Sequence, residues 1–376
     1  MVRKLVLVVA VLLGVVAAPR PSGASSDGVW DYRSVSVSGS YQSIVGNFAG
    51  DDADDILWYA PGSTPDSLWV GTKGKRGSTS FKRYPLTISS SYVPIAGDFA
   101  GDAHTDIVWY KRGTGTSRMW VSAGDGTFTG ANVPTRYATR PYTLKSYNGG
   151  KDQIFWYDPS AYQLSHRSIF DDAGSGTETK YSVQGAVPGA KIVIGDWNGD
   201  GYEDPFVLTT NTGIGFNLYP DGTYKSRSNS FYRDYTPVTV YDVPRDGILF
   251  FGSGASPDAF WRGRGGALFT SVNLRDVDLA GRLTSYPFGV VLVSGRKIQD
   301  AVFYDDGTKA DWYVLNENRE MGDERPIVGD FDGDGAYDIL WYAAGSAPDQ
   351  LWYPVVPAGD TRPDNPIAGA FRVKEH

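Results

Sequence analysis

The sequence repeats itself. Gln42–Tyr59 reads QSIVGNFAGDDADDILWY, and Val93–Tyr110 reads VPIAGDFAGDAHTDIVWY. Lys191–Leu208 (KIVIGDWNGDGYEDPFVL) and Arg325–Tyr342 (RPIVGDFDGDGAYDILWY) carry the same pattern. Weaker copies end at Tyr157 (YTLKSYNGGKDQIFWY), Phe251 (VTVYDVPRDGILFF) and Tyr304 (GVVLVSGRKIQDAVFY). Successive copies end 38 to 53 residues apart. A unit this short cannot bury an adequate core alone unless it is cross-linked, and the chain has no Cys. The units must therefore stack on one another.

A second repeated segment follows several copies: APGSTPDSLWV (Ala60–Val70), GSGASPDAFWR (Gly252–Arg262) and AAGSAPDQLWY (Ala343–Tyr353). Each unit then reads as an apolar strand, an acidic turn, an aromatic strand, a Gly/Pro loop, a Leu-Trp strand and a less regular fourth strand. Abundant Gly (46 residues) and 14 % aromatics suit short strands and tight turns better than helices. Strands such as DILWY are apolar at consecutive positions, as expected when both faces of a sheet are buried. The expected fold is all-β, a seven-bladed β-propeller of four-stranded antiparallel blades. Trp30–Val37 is expected to supply the fourth strand of the seventh unit and close the ring. PIAGAF (Pro366–Phe371) resembles another opening strand, so eight blades is the alternative.

Arg3 and Lys4 precede an apolar run, Leu5–Ala18, and small residues surround Ser22-Gly23-Ala24. Residues 1–24 therefore read as a cleaved signal peptide, and 25–376 as a single propeller domain in a secreted, extracellular protein. The run is short for a bilayer, which needs roughly 20 apolar residues, so no membrane span is expected after cleavage. The formal charge of −8 gives no reason to expect nucleic acid as a partner. No thiol chemistry is possible, and three His leave little for a His-based centre.

Two turns carry a chemical signal. Asp196, Asn198, Asp200 and Asp204 surround Gly201; Asp330, Asp332, Asp334 and Asp338 surround Gly335. Oxygens at positions 1, 3, 5 and 9, with the carbonyl at position 7 (Tyr202 or Ala336), can converge on one hard cation such as Ca²⁺. An EF-hand would need a Glu at position 12, where Val207 and Trp341 stand instead. Carboxylates so closely spaced repel one another without a cation. Asp98, Asp102, His104 (through its backbone) and Asp106 form a weaker copy, with Ala103 in place of the glycine. About two structural Ca²⁺ sites are expected.

The segment GDFDGDGAYDILWY resembles the FG-GAP/VCBS repeat of integrin α-subunit propellers and many exported bacterial proteins. The similarity covers nearly all of residues 25–376 and is strongest in units one, two, four and seven. It implies Ca²⁺ bound by the D-x-D-x-D-G-x-x-D loop between the first two strands of a blade, at the ligands just named. That family's functions are diverse, so the likeness does not settle function.

Trp-Tyr pairs on second strands are expected to pack against both neighbouring blades. The Leu-Trp strands offer Asp66 with Trp69, Asp258 with Trp261, and Asp349 with Trp352, while Trp120 follows a loop without Pro-Asp. An aromatic beside a carboxylate, repeated round a ring, can bind sugars multivalently. The competing use of these residues is structural, Asp holding the turn and Trp filling the interface. The function expected is non-catalytic recognition of a glycan or an extracellular protein. A polysaccharide-active enzyme, lyase or glycosidase, is the alternative class.

Overall fold

The computed structural model describes residues 30–354 except 52, 73–79, 136–139, 147–149, 159–162, 169–177, 183–188, 210–211, 220–222, 231–234, 241–244, 253–258, 266–267, 274–288, 295–296, 305–311, 315–323, 334–337 and 347. The signal peptide, Asp258, Asp334, Ala336 and the PIAGAF segment lie outside the described residues.

Every element described is a strand, and the strands form seven antiparallel sheets, six of four strands and one of three. The first five follow chain order, as in Gln42–Gly46, Asp55–Tyr59, Asp66–Val70 and Lys82–Leu86. The sixth holds Gly289–Ser294, Lys297–Tyr304 and Trp312–Val314. First strands of successive sheets lie side by side: Glu324–Gly329, Gln42–Gly46, Val93–Gly97, Arg140–Leu144, Lys191–Gly195 and Tyr235–Val240. Fourth strands such as Tyr224–Ser230 are largely exposed. First strands inside, fourth strands outside and sheets face to face make a β-propeller.

The second strands hold the sheets together. DILWY at Asp55–Tyr59 is buried throughout, as is DIVWY at Asp106–Tyr110. Successive side chains point to opposite faces, so the two sets serve different neighbours. Ile56 and Trp58 pack on Ile327, Leu340 and Tyr342 of the last sheet. Leu57 and Tyr59 pack on Ile107 and Trp109 of the second. The same exchange continues through Tyr110 and Trp156, Tyr157 and Val207, and Phe206 and Phe250. A fully buried large side chain contributes roughly 1.5–3 kcal/mol, which makes this belt the main source of cohesion.

Ring closure follows the expected route. Trp30–Val35 pairs antiparallel with Asp349–Pro354 and completes the last sheet. The joint from last to first sheet then repeats the joint from first to second. Tyr342 Oη donates to Gly39 O (2.9 Å) and accepts from Tyr41 N (2.8 Å). Tyr59 Oη donates to Ser90 O (2.7 Å) and accepts from Tyr92 N (2.7 Å). Asp349 accepts from Ala343 N (2.8 Å) and, 312 residues away, from Val37 N (2.7 Å). Asp66 does the same for Ala60 N and Ile88 N.

Removing the Asp349 carboxylate leaves two buried N–H groups unpaired. Asp349→Ala is expected to cost about 3 kcal/mol and to speed proteolysis near residues 30–37, whereas Asp66→Ala should destabilise without releasing that strand. Thermal melts with limited proteolysis check this. Unchanged cleavage near 30–37 in Asp349→Ala contradicts the closure.

Candidate functional site

The acidic turns join first to second strands, and their described residues share backbone features. Position 4 is a left-handed glycine in each described copy, Gly50, Gly101, Gly199 and Gly333. Position 6 is left-handed too: Gly201 has φ 82° and Ala103 φ 67°. Ala103 adopts the glycine conformation despite its Cβ, at a cost of roughly 1 kcal/mol. The second turn thus keeps the shape of the fourth although its sequence has drifted.

In the last turn Asp330, Asp332 and Asp338 bring ligand oxygens within 4.8 Å of one another, and Asp332 and Asp338 are almost fully buried. This convergence fits a hard divalent cation. In the fourth turn Asp196 accepts from Gly199 N (2.7 Å), Asp200 N (3.2 Å) and Gly201 N (2.9 Å). Asn198 donates its amide to Asp200 (2.9 Å) and Asp204 (3.2 Å), drawing these groups together. An amide turned end for end would offer its oxygen to a cation at the same place. Tyr202 donates its N–H to Asp200 and forms an isolated bridge with Ser146, just past the first strand of the third sheet.

In the second turn Asp98 accepts from Gly101, Asp102 and Ala103 N–H, and Asp102 from His104 N–H. His104 gives more than a backbone. Its ring lies over the preceding turn, where a Cβ on Gly50 would come within 2.8 Å of Nε2.

The position 9 carboxylates have a second task. Asp55 accepts from Phe48 N and Ala49 N through one oxygen and from Gly71 N, beyond the third strand, through the other. Asp106 joins Ala100 N to Ser122 N, and Asp204 accepts from Leu218 N. Each braces the acidic turn or the end of the third strand. Burial raises the pKa of Asp204 well above the ordinary carboxyl range, against the pull of the Leu218 N–H.

Position 8 carries a device that the repeat pattern displays but that spacing alone does not explain. Asp54 accepts from Asp330 N (2.8 Å) while its own N–H donates to Asp330 O (2.7 Å). The same reciprocal pair links Thr105 to Asn47, Asp152 to Asp98, Glu203 to Lys145 and Asp246 to Asp196. Five consecutive sheet boundaries are latched this way. The visible signal was a hydrogen-bonding residue just before each second strand.

The Asp–Trp pairs differ from a ring of sugar sites. Asp66 and Asp349 are buried, and both oxygens of each accept backbone N–H groups. Trp69 and Trp352 are buried edge-on against Trp58 and Trp341, at 5.4 Å in each case. Trp120 meets Trp109 (5.2 Å) and Phe128 (5.2 Å), and half-buried Trp261 meets Phe250 (5.1 Å). The expectation of ligand-facing pairs is corrected at Asp66–Trp69 and Asp349–Trp352. A buried Asp satisfied by its own chain has no oxygen turned to solvent.

No protein-family model matches the chain, and no curated protein matches it. Among solved structures it is similar to a lectin from Agrocybe aegerita described by its specific recognition of non-reducing terminal N-acetylglucosamine. The TM-score is 0.51 at 13 % identity, covering 75 % of this chain and 81 % of the lectin. The likeness is one of fold. Lower similarity extends to the Dos1 propeller (TM-score 0.45, 11 % identity, 85 % of this chain and 78 % of that one). AofleA from Arthrobotrys oligospora is also similar (0.43, 10 %, 78 % and 93 %).

Burial pushes Asp55 up to about 7, and Asp106 and Asp152 up to about 6, outweighing the N–H groups that favour their charged forms. An unfolded Asp titrates at about 3.9, so the folded form holds these protons more tightly. Their contribution to stability is fullest below that value and is lost as pH rises through about 6 to 7. In chelator, the urea midpoint is expected to be lower at pH 8 than at pH 5. A midpoint equal or higher at pH 8 contradicts it.

Proposed function

We propose that this chain is an exported, calcium-stabilised propeller of seven blades that recognises a glycan on a cell surface or in the surrounding matrix, without catalysing its turnover. Residues 1–24 would direct export, and 25–376 would form the single domain. The observation that carries the recognition reading is the shared fold with the Agrocybe aegerita lectin. The buried carboxylates point the same way. Asp55, Asp66, Asp106, Asp152 and Asp349 each accept backbone N–H groups through both oxygens. Glycoside hydrolysis asks instead for two carboxyls facing each other across an open cleft.

Calcium would be held by Asp330, Asp332 and Asp338, with Asp334 and the Ala336 carbonyl completing the set. A second ion would be held by Asp196, Asn198, Asp200, Asp204 and the Tyr202 carbonyl. The close approach of three carboxylates at the last turn supports this assignment. A bound cation would offset their repulsion and stabilise the fold by mass action.

A glycan array with the protein in Ca²⁺ tests both parts of the reading, paired with melts in Ca²⁺ and in chelator. Glycan binding is expected in Ca²⁺, with a melting temperature several degrees lower in chelator. An array silent across all glycans overturns recognition; identical melts overturn the calcium sites.

A further inference from the structure

The acidic turns of the first, second, fourth and last sheets end on a buried aspartate at position 9: Asp55, Asp106, Asp204 and Asp338. The pairing of second with third strands fixes what stands across from each. Ile56 pairs with Trp69, Ile107 with Trp120, Phe206 with Gly215 and Ile339 with Trp352. Carried on to the turn, this register sets Val70 opposite Asp55, Val121 opposite Asp106, Asn217 opposite Asp204 and Tyr353 opposite Asp338. Hydrogen bonds from the next residue agree with it in the first, second and fourth sheets, where the Gly71, Ser122 and Leu218 N–H groups donate to the same aspartates.

The residue facing position 9 follows position 3 of its own turn. Where position 3 is Ala49 or Ala100, valine faces the aspartate; where it is Asn198 or Asp332, Asn217 or Tyr353 does. The first turn shows the apolar version, with Ala49 packed on the cluster that contains Phe48 and Val70. In the fourth turn an amide replaces that valine, on the face from which Phe206 packs on Phe250 of the fifth sheet. Asn217 is 0 % exposed, and neither its Oδ1 nor its Nδ2 has a hydrogen-bond partner among the described residues. Buried polar groups are paired almost without exception, so an amide kept here points to a partner that these residues do not supply.

We infer that Asn217 Oδ1 is a ligand of the cation held by the fourth turn, contributed by the third strand and not by the loop. The inference rests on the calcium reading and extends its ligand set. Asp196, Asn198, Asp200, the Tyr202 carbonyl and Asp204 offer five oxygens, whereas Ca²⁺ takes six to eight. Directly opposed residues share one face of a sheet, with Cβ atoms roughly 4.5–5.5 Å apart, so a side chain at 217 reaches the ion that Asp204 reaches. An amide oxygen also completes the shell without adding to the repulsion among the carboxylates. A trapped water would satisfy the amide as well. It gives no reason, however, for polar residues to stand only across from turns that keep a side-chain oxygen at position 3.

Calorimetric titration of Ca²⁺ into the whole protein, with melts in Ca²⁺ and in chelator, tests this assignment. Asn217→Val installs the residue found in the first and second sheets. It is expected to raise one of the two Ca²⁺ dissociation constants about tenfold, the scale of one contact to a charged group, and to leave the other unchanged. In chelator the same variant should melt no lower than the parent, since it removes an unpaired buried amide. Asn217→Asp should instead bind Ca²⁺ more tightly and melt lower in chelator, because a further carboxylate joins the cluster. Unaltered Ca²⁺ constants in Asn217→Val overturn the inference. So does a melting temperature lowered equally in Ca²⁺ and in chelator, the mark of a buried water or of packing alone. If Asn217→Val does not fold, Asn217→Asp decides: binding no tighter than the parent's overturns the inference. A parent that binds no Ca²⁺ removes the calcium reading and this inference together. A parent that binds two ions, with both variants unchanged, removes only the part assigned to Asn217.

Discussion

The buried carboxylate that accepts backbone N–H groups is the interaction on which this propeller depends. Stacked sheets cohere through their apolar faces, but loops entering and leaving each strand carry N–H groups that no ladder satisfies. An unpaired buried N–H costs roughly 1–3 kcal/mol. Aspartate solves the problem twice per strand pair, with one oxygen for each of two segments. Asp55 and Asp106 tie the acidic turn to the far end of the third strand, and Asp66 and Asp349 tie the opposite loop to the second residue past the fourth. The position 8 residues carry the bracing from one sheet to the next. In a chain without disulfides, these contacts hold short repeats in register.

The same device explains the chemistry of the acidic face. A turn whose last carboxylate is buried and whose first wraps the backbone needs only one or two further oxygens to enclose a cation. Where the sequence keeps them, at Asp330, Asp332 and Asp338, they converge. At the third sheet Lys145 and Gln153 stand at positions 1 and 9, and the carboxylate set is lost. Structural repetition therefore supplies a set of equivalent positions, of which only some keep the carboxylates that can converge.

Much of the fold was legible in the sequence because hydrophobic periodicity reports burial directly. DILWY announced a strand buried on both faces, and the missing fourth strand of the seventh unit announced closure by Trp30–Val37, of which Trp30–Val35 forms the strand. The path of the second turn was legible as well, since GDFAGDAH keeps the glycine before Asp102. The role of Asp66 and Asp349 was not. An aspartate beside a tryptophan looks the same in a sequence whether it faces a sugar or its own backbone. Only the distances to Ala60, Ile88, Val37 and Ala343 decide between them. The latch at position 8 was hidden for a related reason: Asp, Thr and Glu all perform it, so no single letter holds through the set.

Backbone amide exchange in the native protein tests the bracing most directly. Val37, Phe48, Gly71, Ile88 and Ala343 donate to buried aspartates. Their amides are expected to exchange as slowly as those within DILWY at Asp55–Tyr59. Exchange at the rate of open surface loops, while the strand amides stay protected, would contradict the account.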